Sequence, residues 1–432
     1  MKKVMLSLAI AAICCAPVLA DAQAQAAPAP ETVRVAPGAA PVRLTLRAAL
    51  ERAMRSHPEI RAAISEAAAQ SGALRQAGVL PNPALELLRE GIDGPNRSST
   101  VQLNIPLELG GKRAARVRAA EREQQVAQFD VSVARARIRG ETIAAFYDVV
   151  AAMERSRLAD ELAAIAGQAA GMAGKRVLAG KVSPVEETRA KVAQAGVHIE
   201  SVQARRELDR AKGRLAAMVG DDPRTLEIVR PGTVELPRLV PLPDLLAQIE
   251  HAPGMMRARA AVEHRQAVVD LERARRMPDL GVALGSKREE GHRQTVVGLS
   301  VPLPLFDRNQ GSLLASLRRT DKARDELDAE AARLRTELHD AHARLRAALE
   351  EVALISMDVL PGAESSYRAA SRGFELGKFS FLEVLDAQRT LFQSKNQYLL
   401  AVAESHRASA DIDRLVGTLT PAPASAPAQE HQ

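Results

Sequence analysis

Aromatic residues are scarce in this 432-residue chain: they make up 2% of it, and tryptophan is missing altogether. A nucleic-acid reader that stacks bases on rings is therefore disfavoured, as is a large sugar- or drug-stacking pocket. Cysteine occurs only at Cys14 and Cys15, inside a leader described below, so the mature chain has no disulfide and no thiolate metal ligand. Beyond the leader no apolar run reaches the roughly 18 residues of a spanning helix. That excludes a helical inner-membrane protein but leaves open a β-barrel, whose strands are shorter and alternate. No block of one charge stands out: the net charge of +6 is spread with both signs mixed and identifies no partner. Catalytic motifs are missing too. Gly110-Gly111-Lys112-Arg113 lacks the spacing and hydroxyl residue of a phosphate loop, and neither G-x-S-x-G nor H-E-x-x-H occurs. His339, Asp340 and His342 share a helical stretch, but nothing completes a tetrahedral metal set, and a solvated face is the simpler reading. No enzyme activity, cofactor, metal or nucleic-acid partner is expected.

What is present begins with an export signal. Lys2 and Lys3 form a positive start, Val4 to Ala12 an apolar core, and small residues follow through Val18-Leu19-Ala20. Cleavage after Ala20 removes two lysines and no acid, lowering the net charge from +6 to +4. A lipid anchor on Cys14 or Cys15 fits poorly, because Ala11 and Ala12 stand where a lipobox carries leucine. Residues 21–43 and 418–432 are rich in Ala, Pro and Gln and read as disordered tails.

Between them the chain repeats itself. Ser56-His57-Pro58 recurs as His251-Ala252-Pro253, and Pro81-Asn82-Pro83 as Met277-Pro278-Asp279. Val101-Gln102-Leu103-Asn104-Ile105-Pro106-Leu107 recurs as Val297-Gly298-Leu299-Ser300-Val301-Pro302-Leu303. Leu178-Ala179-Gly180-Lys181-Val182-Ser183 returns as Leu376-Gly377-Lys378-Phe379-Ser380 after Glu375, and Val219-Gly220 as Val416-Gly417. The offset keeps register throughout, which is the signature of an internal duplication. The spacing predicts a signal peptide at 1–20, a disordered segment at 21–43, a first repeat at 44–220, a linker at 221–241, a second repeat at 242–417 and a disordered tail at 418–432.

Each repeat reads as helix, strand pair, very long helix, tight turn, long helix. Strands are expected at Ala84–Gly91 and Ser98–Leu107 around Asp93-Gly94-Pro95-Asn96, and at 279–304 around Glu289-Glu290-Gly291-His292. Val101, Leu103, Ile105 and Leu107 alternate with Gln102 and Asn104; Leu280, Val282 and Leu284 alternate with small residues. One apolar and one polar face per strand fits a two-sided sheet. Prolines 81, 83, 106, 278, 302 and 304 mark the strand ends, where they interrupt neither element. Lys112 to Leu178 carries no proline and predicts one helix on the order of 100 Å long; Gly311 to Leu376 matches it, with Pro361 as the sole interruption. Return arms run Ser183–Val219 and Ser380–Val416, rich in Ala as in coiled coils. Gly180 ends one helix and Ser183 caps the next, with Pro184 at its first position and Glu186 closing a capping box. Gly377, Ser380 and Glu383 repeat the design. Two ordinary soluble hairpins on a helical body would give the same strand pattern, and four strands are too few for a barrel, since the smallest have about eight. If these strands cross a bilayer, several chains must pool them.

The opening Leu44-Thr45-Leu46…Ala49-Leu50…Ala53…His57-Pro58-Glu59-Ile60, the duplicated strand pairs and the two Gly-x-x-Ser turns together resemble TolC-like outer-membrane efflux proteins, over residues 44–417. The stretch Leu303-Pro304-Leu305-Phe306-Asp307-Arg308-Asn309-Gln310-Gly311 is most similar to the outer-membrane subunits of cobalt–zinc–cadmium-type exporters. The resemblance implies a mainly α protein with membrane β. It implies a homotrimer whose twelve-stranded barrel in outer-membrane lipid continues into a periplasmic α-helical barrel. It also implies a periplasmic adaptor docking at the helical tip and an inner-membrane proton-driven transporter as source of energy and cargo selection. In such proteins acidic residues ring the closed tip; the matching positions here are Glu383 and Asp386, three apart on one helix, and three copies would ring the aperture with six carboxylates that attract cations. Glu383 is also explained by its capping box alone. The basic residue that often precedes this segment is replaced by Phe379. Adaptor contact falls on Gly180, Val182, Ser183 and Pro184 and on Gly377, Phe379, Ser380 and Leu382, although turn geometry by itself explains the glycines. The function implied is the exit duct of a tripartite pump exporting heavy-metal cations. Drug efflux or type I protein secretion through the same scaffold, or a soluble periplasmic coiled-coil scaffold, are the alternatives.

Overall fold

The computed structural model describes residues 42–91, 97–229, 235–289, 292–376 and 378–417. The expected signal peptide, the segment up to residue 41, the tail 418–432, the strand-turn residues 92–96 and 290–291, and Gly377 lie outside the described residues. In chain order the elements are β1 (Val42–Leu44), α1 (Leu46–Ser56), α2 (Pro58–Ala77), β2 (Ala84–Glu90), β3 (Ser98–Leu107), α3 (Lys112–Leu178) and α4 (Pro184–Val219). Then follow β4 (Leu226–Ile228), α5 (Leu242–Gln248), α6 (Pro253–Ala274), β5 (Leu280–Glu289), β6 (His292–Ser300), α7 (Gln310–Leu354), α8 (Leu360–Glu375) and α9 (Phe381–Val416). The second half thus repeats the first: short helices, hairpin, long helix, return helix.

Local chemistry sets the boundaries. Thr45 caps α1, its hydroxyl accepting from the Ala48 amide at 3.2 Å. His57 caps α2 through Nδ1, which accepts from the Glu59 amide, and Pro58 follows at the favoured first position. Burial holds the His57 imidazole below its ordinary pKa, which keeps the accepting nitrogen unprotonated. α3 runs 67 residues without a break, about 100 Å at 1.5 Å per residue. Its mean hydropathy is near neutral because it is wetted on some faces and packed on others: α2, α4, α6 and α9 all lie against it.

Three expectations need correcting. Val42 and Arg43, placed in a disordered segment, belong to β1, which pairs in parallel with β4 inside the expected linker. Leu44 and Leu226 are buried there beside Phe146, Val149 and Leu215, so apolar burial rather than tail composition decides the local structure. The second long helix is not one α-helix with a proline in it. α7 stops at Leu354, a π-turn spans Ile355–Val359, and α8 restarts with Pro361 in its first turn. Pro361 has no amide to give to the preceding turn, and the wider turn, in which the Leu360 amide reaches the Ile355 carbonyl, absorbs the mismatch. The third correction, at Ser183, belongs to the tip described below.

The two hairpins join into a single antiparallel sheet of order β2-β3-β5-β6. β3 and β5 make the joint, with Leu103 opposite Leu284 and Ile105 opposite Val282. A collar ties sheet to helices: the Lys112 ammonium lies 2.7 Å from the Asp279 carboxylate, and the Leu109 amide donates to the same oxygen at 3.2 Å. Each repeat has its own helical core. The second is built on Leu245, Ile249, Met255, Leu338, Leu345 and Leu415. A chain of charges stitches the two together. Asp148 on α3 accepts from Arg407 on α9 and lies 3.6 Å from Arg214 on α4. Arg344 on α7 donates to Asp411 at 2.8 Å and Glu404 at 3.3 Å on α9. Burial and these carboxylates act oppositely on the Arg407 guanidinium, whose pKa ends above its ordinary value, so it stays charged.

Candidate functional site

Register sorts the sheet into two chemically opposite faces. Leu85, Leu103, Leu284 and Val297 are direct cross-strand partners and so share one face; so do Ile105, Val282 and Leu299 in the next row. This face is open: Leu87 is 71% exposed, Val297 72% and Leu299 71%. The opposite face is mainly polar or small, with Leu88 and Val296 as its large apolar residues. Glu86 accepts from Gln102 at 2.6 Å and Asn104 at 2.8 Å, Ser98 donates to Glu90 at 2.9 Å, and the small residues Gly281, Ala283, Gly285 and Gly298 lie on the same side. An apolar sheet face of this extent, left without cover, marks an interaction surface. Neither outer strand, β2 or β6, has a second partner among the described residues. β3 and β5 have 10 residues each and β6 has 9, the length of a tilted strand that crosses a bilayer, about 9–11 residues.

The helical tip lies at the other end of the long helices. α3 closes with the Lys181 amide on the Arg176 carbonyl and the Gly180 amide on the Val177 carbonyl, both at 2.9 Å. Gly180 takes a left-handed φ of 69°, which glycine adopts without penalty. Ser183 caps α4, but its hydroxyl accepts from the Val185 amide at 3.3 Å, and Glu186 turns to Arg189 instead, 3.7 Å away. The capping box expected from Ser183 and Glu186 is therefore not formed: the hydroxyl reaches the second amide of the helix rather than the third, the Glu186 amide donates to the Ser183 carbonyl, and the Glu186 carboxylate lies toward Arg189. In the second turn the box is complete: the Ser380 amide donates to Glu383 at 2.6 Å and the Glu383 amide to the Ser380 hydroxyl at 3.4 Å.

The sequence-derived tip residues gather as two adjoining turns. Val182 is half-buried, while Ser183, Pro184, Phe379 and Ser380 are exposed. Gly377 lies outside the described residues, and of Leu382 only its helical backbone is described. Beside the first turn, Pro184, Val185, Thr188, Arg189, Val192 and Ala193 line an open, mainly apolar groove along α4. Glu383 and Asp386 stand one helical turn apart on α9, both exposed. The Glu383 carboxylate is engaged by the cap, so Asp386 is the acid free to face solvent. Sequence reasoning missed two contacts here. Phe379 folds back onto Gly373, where any Cβ would collide with its ring, and both the Lys378 and Phe379 amides donate to the Gly373 carbonyl. The Arg176 guanidinium at the end of α3 lies 5.5 Å from the Phe374 ring centre on α8, tying the two turns together. The glycine three residues before the turn was the available signal for the first; nothing in the sequence pointed to the second. Elsewhere, His342 lies 3.1 Å from the Val240 carbonyl, and no group of three metal-ligating side chains occurs among the described residues.

Comparison with known proteins bears on both ends of the molecule. A profile of outer membrane efflux proteins matches residues 49–221 and 247–418, one match per repeat. The chain is 41% identical, over 96% of its own length and 100% of the relative's, to the cobalt-zinc-cadmium resistance protein CzcC of Cupriavidus metallidurans. It is 28% identical to the nickel-cobalt-cadmium resistance protein NccC of Alcaligenes xylosoxydans, over 64% of this chain and 63% of the relative. Its fold matches the crystal structure of the outer membrane protein VceC of Vibrio cholerae with a TM-score of 0.73 at 19% identity, covering 86% of this chain and 96% of that one.

Proposed function

The chain belongs to the outer membrane efflux protein family, and with that as premise we propose that three copies form the exit duct of a tripartite pump for heavy-metal cations. The protein is an outer-membrane efflux channel component that reaches into the periplasm. The observation that carries the rest is the one-sided, open-edged sheet. Unpaired amide and carbonyl groups cost several kcal/mol each in hydrocarbon, so a four-stranded sheet cannot span alone. Pairing β6 of one copy with β2 of the next removes every edge, and three copies give twelve strands. The apolar face then meets lipid and the face with Glu86, Gln102 and Asn104 lines a water-filled lumen. The long helices continue the tube toward the inner membrane. The tip turns carry the adaptor contact: Gly180, Val182, Ser183, Pro184, Gly377, Phe379, Ser380 and Leu382 in each copy.

Passage rather than catalysis is the task of such a duct. Energy comes from an inner-membrane proton-driven transporter, and the carboxylates of Glu383 and Asp386, repeated three times at the aperture, favour cations over anions. The cargo assignment follows the resistance named for the relatives, at 41% identity over nearly the whole chain in one case. Deleting the gene and measuring cellular cobalt, zinc and cadmium by mass spectrometry tests it. Metal content at a fixed external dose should rise several-fold and return on complementation. Unchanged metal with lost resistance to an organic toxicant would overturn the cargo assignment and leave the duct intact.

A further inference from the structure

The charged residues of the sheet are segregated by face. The carboxylates Glu86, Glu90 and Glu289 all project from the polar face, and Lys287 on that face is neutralised locally, 3.4 Å from Glu289 and 3.9 Å from Glu90. The apolar face carries no carboxylate among the described residues of its four strands. It carries three arginines instead. Arg89 lies opposite Ser99, Ser99 opposite Arg288, and Arg288 opposite Arg293. With Ser99 on β3 they form one row across the whole sheet, one residue per strand, at the end remote from the helices. With strands about 4.8 Å apart, the row spans roughly 14 Å. All three arginines are exposed. The polar contact made by Arg293 is with the Ser286 hydroxyl, 3.0 Å from its Nε; Arg89 and Arg288 have no ion pair among the described residues.

Descending from this row toward the helices, the same face changes character in order. Next come Leu87, Val101, Ser286 and Thr295, with two hydroxyls; then Leu85, Leu103, Leu284 and Val297; then Ile105, Val282 and Leu299. Guanidinium, hydroxyl, hydrocarbon is the order of groups that an amphiphile with an anionic head meets when it lies along the strands. Guanidinium suits phosphate because its planar fork donates two parallel hydrogen bonds. Snorkelling alone would require only that arginines reach the interface. It would not require that every acid be moved to the other face. A free phosphate ion would use the arginines but not the hydrocarbon beneath them.

Resting on the membrane reading above, we propose that Arg89, Arg288 and Arg293 bind the phosphorylated headgroup of an outer-leaflet glycolipid, whose acyl chains lie on the leucine and valine rows below. The test is a native mass spectrometry titration of the full-length assembly in detergent. The probes are bis-phosphorylated lipid A and the same lipid after phosphatase treatment. The wild-type protein should retain the phosphorylated form at least tenfold more tightly. The variant Arg89→Gln/Arg288→Gln/Arg293→Gln should lose that preference while still migrating as a membrane-extracted oligomer. The pair Arg288→Gln/Arg293→Gln, which leaves the edge strand β2 untouched, should lose at least threefold. Equal retention of both lipids by the wild type, or an unchanged preference in both variants, overturns the proposal. Displacement by inorganic phosphate at matched concentration also overturns it, because the site would then be a plain anion site. Recovery of the wild-type protein from the soluble fraction is a different result and would overturn the membrane reading itself.

Discussion

The rings of Tyr147 and His406 stack with centroids 3.5 Å apart and planes 7° from parallel, joining α3 to α9 where Asp148 and Arg407, one residue further along each helix, form their ion pair. His406 is buried and Tyr147 half-buried, and the His406 Nε2 has no hydrogen-bond partner among the described residues. Burial alone lowers the His406 pKa from 6.5 to about 4, and burial, with the Glu235 charge, raises that of Tyr147. The folded state therefore binds fewer protons than the unfolded state between those values. Stability is full above pH 6.5 and declines as pH falls toward 4, by an amount on the order of 2–3 kcal/mol per chain. Thermal midpoints of the detergent-solubilised protein should fall across that window. His406→Phe, which keeps the stack and removes the titrating group, should flatten the decline.

The sheet's sidedness predicts an asymmetry between two arginine insertions. Leu284→Arg places a charge in the middle of the apolar face and should cost about 2–4 kcal/mol at bilayer depth, sharply lowering the amount of protein assembled in the outer membrane. Gln102→Arg, on the polar face beside Glu86, should assemble normally. Immunoblots of outer-membrane fractions compare the two, and equal assembly would contradict the assigned faces.

At the aperture, Glu383→Gln preserves a capping-box side chain, so the helix start survives while its charge is removed. Combined with Asp386→Asn it should lower cation preference in planar-bilayer reversal potentials. Asp386→Asn alone should account for most of the change, because the Glu383 carboxylate is already held by the Ser380 amide. Unaltered reversal potentials would remove both residues from the gate.

Gly373→Ala tests the tip. The added methyl would strike the Phe379 ring, and relief by overpacking or displacement costs about 1–3 kcal/mol. Site-directed cross-linking between the tip and a co-expressed adaptor should drop, while the yield of membrane-assembled protein stays unchanged. Undiminished cross-linking would show that Phe379 does not set the docking surface.

Much of this fold was legible because its strongest signals are local. The proline-free run after Lys112 gives α3 and its approximate end, since nothing in it forces a break before the turn at Gly180. Alternation in Val101–Leu107 gives β3 and the apolar face. Other features depend on partners far away in sequence. β1 exists only because β4 covers it, nearly two hundred residues on. At Ser183 the box does not form, because the hydroxyl is used by the Val185 amide and the Glu186 carboxylate lies toward Arg189, a choice between local partners that a motif does not encode. The acid-free face emerged only once register fixed which residues share a side, since a shift of one residue would exchange the faces. Glu383 and Asp386 were placed by resemblance, and the structure distinguishes them: one is occupied by a cap, the other is not.

The bare outer strands have a genetic consequence. In the proposed trimer each wall segment is donated by a different polypeptide, so damage to one edge strand of one copy breaks a seam that healthy neighbours cannot mend. A cell making intact and seam-defective copies in equal amounts would complete only about one tube in eight from intact copies alone. Alleles altered in β2 or β6 should therefore be inherited as dominant, whereas alleles that merely abolish synthesis should be recessive.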